Sequence, residues 1–393
     1  MKINSHNEWD RLREVIVGTV DHFCTGLEFQ NPNPSEADFS KAAKLALQAR
    51  PSWYVNEVAE DLEGLCDVFR KAGVKILRPK DYGAERLYST PDWASTGKDL
   101  YNVRDIHIIF GDTVIVGPSS ARCRYFEPNA FYDIWYEYFN SGFKWITAPK
   151  PRLQGRYLVP YYSDGQEVLT DEDRIQQKLS GGRGEKHYRL TEDEALFDAA
   201  NAIRMGRDIL YLISSTGNAK GARWLQLVLG DEYRVHTTTT YRSSHLDSTI
   251  LPLRPGVVLI NSARVTPESC PPVFAKWKKI WFGADVHDMA PLPEAEIEFQ
   301  KNVRDKVYHE LLEMGVESDL NHMSSPWAGL NVLSLDSETV LVHDRQKNLI
   351  AELEKHKFKV IPIRMRHCYT MLGGLHCSTL DTVRDSKLES YCD

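Results

Sequence analysis

The sequence predicts one α/β domain assembled from five similar units, stacked or arranged radially. Three observations predict it. Short β-branched runs alternate with segments of helical apolar spacing. A strand, helix, strand order recurs along the chain, and no Pro-, Ser- or Gly-rich linker divides its 393 residues. Repeats of one supersecondary unit bury a shared core by packing on one another, which favours a single body over residues 1–393.

The first unit opens with a strand at residues 12–18, carried by Val15, Ile16 and Val17. An irregular insertion over 21–51 follows, with a helix expected at 37–49. Residues 58–72 place Leu62, Leu65, Cys66, Val68 and Phe69 at helical spacing, end at Gly73 and lead into a strand at 74–77. In the second unit, 106–110 and 114–116 form a hairpin about Gly111 and Asp112, followed by a helix at 131–140 and a strand at 143–147. The third runs strand 208–213, helix 221–229, strand 233–237. The fourth runs strand 257–260, a helix at 272–281 and a weakly marked closing strand. The fifth has strands at 330–335 and 339–342, a helix at 349–356 and a strand at 358–362. The long stretch 149–194 holds Gly181, Gly182 and Gly184 among charges. It lacks the preceding strand and following helix that a phosphate-binding loop requires, and reads as a solvated loop.

Composition narrows the function. Hydrophobic residues at 42% and charged residues at 26% describe an ordinary globular chain. A net charge of -7 argues against a nucleic-acid partner, because phosphate neutralisation needs a basic face. No apolar run approaches the roughly 18 residues of a membrane span, and the first residues lack the apolar core of a secretory signal. The chain reads as a soluble cytoplasmic protein without a membrane partner. Its seven cysteines are scattered and never spaced as Cys-x-x-Cys, which disfavours a disulfide framework or a structural zinc. His367-Cys368 and His376-Cys377 are adjacent pairs, and neighbours on a strand face opposite ways, so neither pair chelates one ion.

Polar groups cluster at the ends of the units. Asn102 and Asp105 precede the second, Asp198 and Asn201 the third; Ser244, His245 and Asp247 follow the third. Ser324 and Ser325 precede the fifth, and Cys377 comes after it behind Gly373-Gly374. Singly, these are caps, turn residues and a buried thiol behind a glycine turn. Together they supply a thiol, an imidazole and three carboxylates. Histidine can take and return a proton near neutrality. Carboxylates around a thiol raise its pKa, so they make sense only if the substrate brings a compensating cation. A guanidinium does so, since carboxylates can grip its planar fork while its central carbon stays open to attack from the face.

The same residues resemble the arginine amidinotransferases. The likeness is carried by residues 102–126, Phe197-Asp198-Ala199-Ala200, Tyr233-Arg234-Val235-His236, His245-Leu246-Asp247, Pro255-Gly256-Val257-Val258-Leu259, Asn331-Val332-Leu333 and Gly373-Gly374-Leu375-His376-Cys377. It extends from Asn7 to Tyr391. The resemblance implies a five-bladed, pentein-like α/β propeller with pseudo-fivefold symmetry. It implies Cys377 as nucleophile, His245 as general acid and base with Asp198 as its partner, and Asp105 and Asp247 as guanidinium ligands. Arg264 and Ser325, with Ser324 and Ser244 beside the site, are implied to bind substrate. Asn201 stands where glycine-specific members carry Asp, and in this it is similar to the streptomycin-pathway member.

The implied reaction moves the amidino group of L-arginine through a covalent adduct on Cys377 to a small-molecule amine, releasing ornithine without metal or organic cofactor. Dimers occur among members, so a homodimer is a further expectation. The acceptor is the open question. Tyr241-Arg242-Ser243-Ser244 before His245 is shorter and more polar than in glycine-specific members, and Arg242 is either an anion contact or a solvated charge. This favours a specialised-metabolite amine. The alternatives are glycine, a deiminase-like hydrolase in which water replaces the amine, and a non-catalytic scaffold.

Overall fold

Five three-stranded sheets share one construction. The computed structural model describes residues 3–154, 158–160, 188–241, 244–288, 292–324 and 327–392. In four of the sheets, consecutive chain supplies an antiparallel pair and then, after an excursion, a third strand parallel to the middle one. These are His107–Phe110, Thr113–Val116 and Lys144–Thr147; Ala202–Met205, Asp208–Leu212 and Arg234–Thr238; Ile250–Arg254, Val257–Asn261 and Lys278–Phe282; and Leu333–Ser334, Thr339–His343 and Lys359–Ile363. The middle strands Asp208–Leu212 and Val257–Asn261 are buried throughout, which is why they read as continuous apolar runs. Gly206 and Gly256, both at φ 70°, turn the hairpins that precede them.

The remaining sheet joins the two ends of the chain. Leu12–Val17 pairs in parallel with Lys75–Leu77 and antiparallel with Thr379–Arg384, setting Val15 opposite Asp381 and Ile16 opposite Leu380. Beneath it lies a buried ion cluster. Arg204 donates to both oxygens of Glu8 at 2.8 and 2.9 Å and to Asp381 at 2.8 Å. Its remaining donors reach Ser5 Oγ and the Ile109 carbonyl. Arg104 and Arg384 also donate to Asp381, at 2.8 and 2.6 Å. With every arm of Arg204 satisfied and three arginines shared between Glu8 and Asp381, the buried charges are tolerated.

The helices follow the expected faces. Ser52–Lys71 buries Tyr54, Val58, Leu62, Leu65, Cys66 and Phe69. Ala219–Leu229 is capped by Asn218, whose side chain accepts the Gly221 N–H. Within the insertion, Glu36–Gln48 forms the expected helix behind an N-cap at Ser35. It packs on an element the sequence reading did not include: helix Glu294–Phe299, a π turn Gln300–Arg304, and helix Asp305–Glu313. Leu87–Ser89, Ala94–Thr96, Glu28–Phe29 and Val316–Glu317 form a further sheet beside them.

The expected helix at 272–281 does not form. Only the short 3-10 turn Pro272–Phe274 forms, because the residues after it are taken up as the parallel partner of Val257–Asn261. Residues Lys278–Phe282 become the parallel strand instead, burying Ile280 and Phe282 on one face while Lys279 and Trp281 on the other stay half-buried. Of the stretch 149–194, strands Leu158–Pro160 and Tyr188–Leu190 pair antiparallel, and its glycine cluster lies outside the described residues. No helix among the described residues is long and apolar enough to cross a membrane.

Candidate active site

Cys377 lies two residues before the strand Thr379–Arg384, on a turn that only glycine could build. A Cβ on Gly373 would stand 2.2 Å from Asn102 Oδ1, and one on Gly374 would stand 2.8 Å from Asn331 Cβ. The thiol is 6% exposed and held from two sides. Asn331 Nδ2 donates to Sγ at 3.2 Å while its Oδ1 accepts the Cys377 N–H at 2.9 Å. Opposite, the thiol donates to Asp247 Oδ2 at 3.2 Å. Burial first, then Asp247 and Asp105, push the thiol well above its ordinary pKa.

His245 sits between two other carboxylates. Its Nε2 is 3.1 Å from Asp198 Oδ2 and its Nδ1 3.6 Å from Asp105 Oδ1. Burial disfavours its charge, but Asp105, Asp198 and Asp247 outweigh that and hold the imidazolium up to about 9. Asp105 is anchored through Oδ2 by Arg124, whose guanidinium is gripped bidentately by Glu127 at 2.8 Å. Both Asp105 Oδ1 and Asp198 Oδ1 are buried yet accept no hydrogen bond. Asp247 Oδ2 also receives His376 Nδ1 at 2.9 Å, and its pKa is held well below the usual range: burial opposes ionisation, and His376 and His245 overcome it.

The structure therefore brings Cys377, Asp247, His245, Asp105 and Asp198 into one connected cluster. The other expected residues stand differently. Arg264 donates to Thr249 Oγ1 at 2.6 Å and lies 5.6 Å from the Tyr241 ring centroid. Ser324 Oγ donates to the Cys368 carbonyl at 3.2 Å. Ser244 has an exposed side chain; its carbonyl takes hydrogen bonds from Asn201 Nδ2, Ser214 Oγ and Thr216 Oγ1, which fix the approach to His245. Asn201 thus shapes the loop, while Asp198 meets the imidazole. Ser325 and Arg242 lie outside the described residues. No group of three or more His, Cys, Asp and Glu among the described residues could hold a metal ion.

Four contributors were missed at the level of sequence. Asn331 lies within one of the matching motifs, His376 adjoins Cys377, Arg124 lies inside residues 102–126 and Glu127 directly follows them. For Asn331 and His376 the signal was a motif position, and the partner was distant in sequence.

An inosamine-phosphate amidinotransferase of Streptomyces glaucescens is 35% identical over 398 aligned residues, covering 99% of both chains. The chain belongs to the amidinotransferase family. The solved structure of the inosamine-phosphate amidinotransferase of Streptomyces griseus superposes with a TM-score of 0.77 at 33% identity, over 100% of this amidinotransferase and 99% of that chain. An amidinotransferase of the saxitoxin pathway from Microseira wollei superposes at 0.73 with 31% identity, over 99% of each. No family profile matches the chain. For an amidinotransferase, a thiol beside unsatisfied carboxylate oxygens is a chemically coherent arrangement, because the group to be moved is itself a cation.

Proposed function

We propose that the protein transfers the amidino group of L-arginine, through a covalent adduct on Cys377, to an amine other than glycine in specialised metabolism. The observation that carries this reading is the pair of buried, unbonded oxygens, Asp105 Oδ1 and Asp198 Oδ1, in the same cluster as the Cys377–Asp247 hydrogen bond. A guanidinium satisfies such oxygens and offsets the carboxylates that suppress the thiolate.

On arginine binding, Cys377 gives up its proton to solvent and the thiolate attacks the guanidinium carbon. The carbon–nitrogen bond to the departing amine breaks as His245 donates its proton, and ornithine leaves. The acceptor enters as a free amine, attacks the adduct and yields its proton to His245, while the sulfur departs as thiolate. Asp198 orients His245; Asp105 and Asp247 grip the guanidinium; Arg264, Ser324, Ser325 and Ser244 bind the rest of the substrates. No cofactor takes part in these steps. A single domain of five blades around a pseudo-fivefold axis would gather these loops at one end, consistent with five sheets of one construction. The acceptor reading draws on the polar approach to His245 and on relatives named for an inosamine phosphate and for the saxitoxin pathway.

The test is mass spectrometry of products from isotopically labelled arginine with a panel of amines, using wild type and Cys377→Ala. Ornithine and a guanidinylated larger amine are expected from wild type, and neither from the variant. Preferred turnover of glycine would refute the acceptor assignment. Citrulline without any acceptor would identify a hydrolase, and substantial turnover by Cys377→Ala would refute the nucleophile.

A further inference from the structure

His376 is a histidine with a carboxylate at each end of its ring. Nδ1 lies 2.9 Å from Asp247 Oδ2 and Nε2 lies 3.3 Å from Glu8 Oε2, and the side chain is 3% exposed. An ionised carboxylate only accepts hydrogen bonds, so both ring nitrogens must carry protons. Asp247 and Glu8 are both held ionised: burial opposes the charge on each, while His376 and, for Glu8, Arg204 reverse that. The surrounding charges keep the ring from moving. Glu8 is fixed by Arg204 at 2.8 and 2.9 Å and by Arg104 at 3.6 Å, and Arg104 Nε donates to the His376 carbonyl at 2.9 Å. On the other side, Asp247 faces Cys377. His245, the remaining titratable group acting on Asp247, belongs to the acid–base pair.

We propose that His376 is a positioning residue: an imidazolium locked between Glu8 and Asp247 that fixes the orientation of Asp247 and keeps it ionised for the substrate guanidinium. This rests on the reading that Asp247 binds that guanidinium. Asp247 Oδ2 is shared between the thiol and the imidazolium, so a neutral side chain at 376 would leave the carboxylate free to rotate and to take up a proton. The charge also links the nucleophile's loop to the buried Glu8–Arg204–Asp381 cluster, so the carboxylate is set by the same ions that join the chain's two ends.

The experiment has two arms. In wild type, nitrogen NMR of 15N-histidine-labelled protein, with His376 assigned by its loss in His376→Asn, is expected to show both ring nitrogens protonated. A singly protonated ring would overturn the proposal, and this arm does not depend on the variant's activity. In His376→Asn, which keeps a donor toward Asp247 and loses the charge, KM for arginine is expected to rise roughly tenfold or more with a smaller change in kcat, and the acid limb of kcat/KM to move to higher pH. A folded variant with unchanged KM and acid limb would overturn it. Asp247→Asn separates the two readings: an unchanged arginine KM there would overturn the assignment of Asp247 to the guanidinium, while the protonation of His376 would still be read by NMR.

Discussion

Asn331 holds Cys377 by both ends of one amide, its Nδ2 3.2 Å from the sulfur and its Oδ1 2.9 Å from the backbone N–H. The same amide therefore fixes the backbone of the proposed nucleophile and donates to the atom that would carry negative charge.

Replacing Asn331 with Ala removes a donor to the thiolate and orphans a buried N–H. The rate of adduct formation should fall by about tenfold or more, and stability by about 1–3 kcal/mol, the cost of an unsatisfied buried polar group. Rapid-quench single turnovers and urea unfolding measure the two effects separately.

The pH dependence follows from His245. Its carboxylate neighbours hold its pKa up to about 9, which keeps it protonated at neutrality, as the proposed general acid requires. Because Cys377 must also lose a proton held well above its ordinary pKa, kcat/KM should rise with pH and level off as His245 loses its own proton at about 9. Asp198→Asn removes a charge that raises the histidine's pKa, so the levelling should move to lower pH. The sign for stability agrees: a histidine raised by folding stabilises the native state fully below its unfolded pKa of about 6.5, and that contribution is lost as pH rises through about 9.

Gly373→Ala places a methyl group 2.2 Å from Asn102 Oδ1 and 2.7 Å from Cys377 Cβ. Neither neighbour can retreat, because Asn102 Nδ2 is bonded to the Met371 carbonyl and Cys377 to Asn331. A loss of about 1–3 kcal/mol is expected from overpacking, together with loss of arginine turnover. Thermal unfolding and ornithine release are the measurements.

Arg204→Met leaves Glu8 and Asp381 buried with fewer partners. Breaking a buried pair from one side costs about 3–5 kcal/mol. Urea denaturation should register the loss.

The repeated units were legible because their middle strands are buried on both faces and so read as unbroken apolar runs. The closing strand Thr379–Arg384 was not, because Asp381 and Arg384 interrupt the apolar pattern; they are accommodated by Arg204 and Arg104, which lie far away in sequence. The segment 294–313 hid for a related reason: its buried Glu296, Gln300 and Arg304 break the apolar face, and a π turn shifts its period. In the site, the chemistry-bearing types Cys377, His245, Asp105, Asp198 and Asp247 stood out by residue type. Asn331 and His376 matter through geometry alone, and nothing local to them announces their partners.

The meeting of the chain's two ends has a temporal consequence. Ser5 bonds Asp381 across 376 positions of sequence, and Cys377 stands beside that seam. During synthesis the strand that seats Cys377 is made long after Leu12–Val17, the strand with which it must pair. Such distant pairing makes closure of the fold around this thiol a slow step. The site around Cys377 takes shape only once these two distant segments have met.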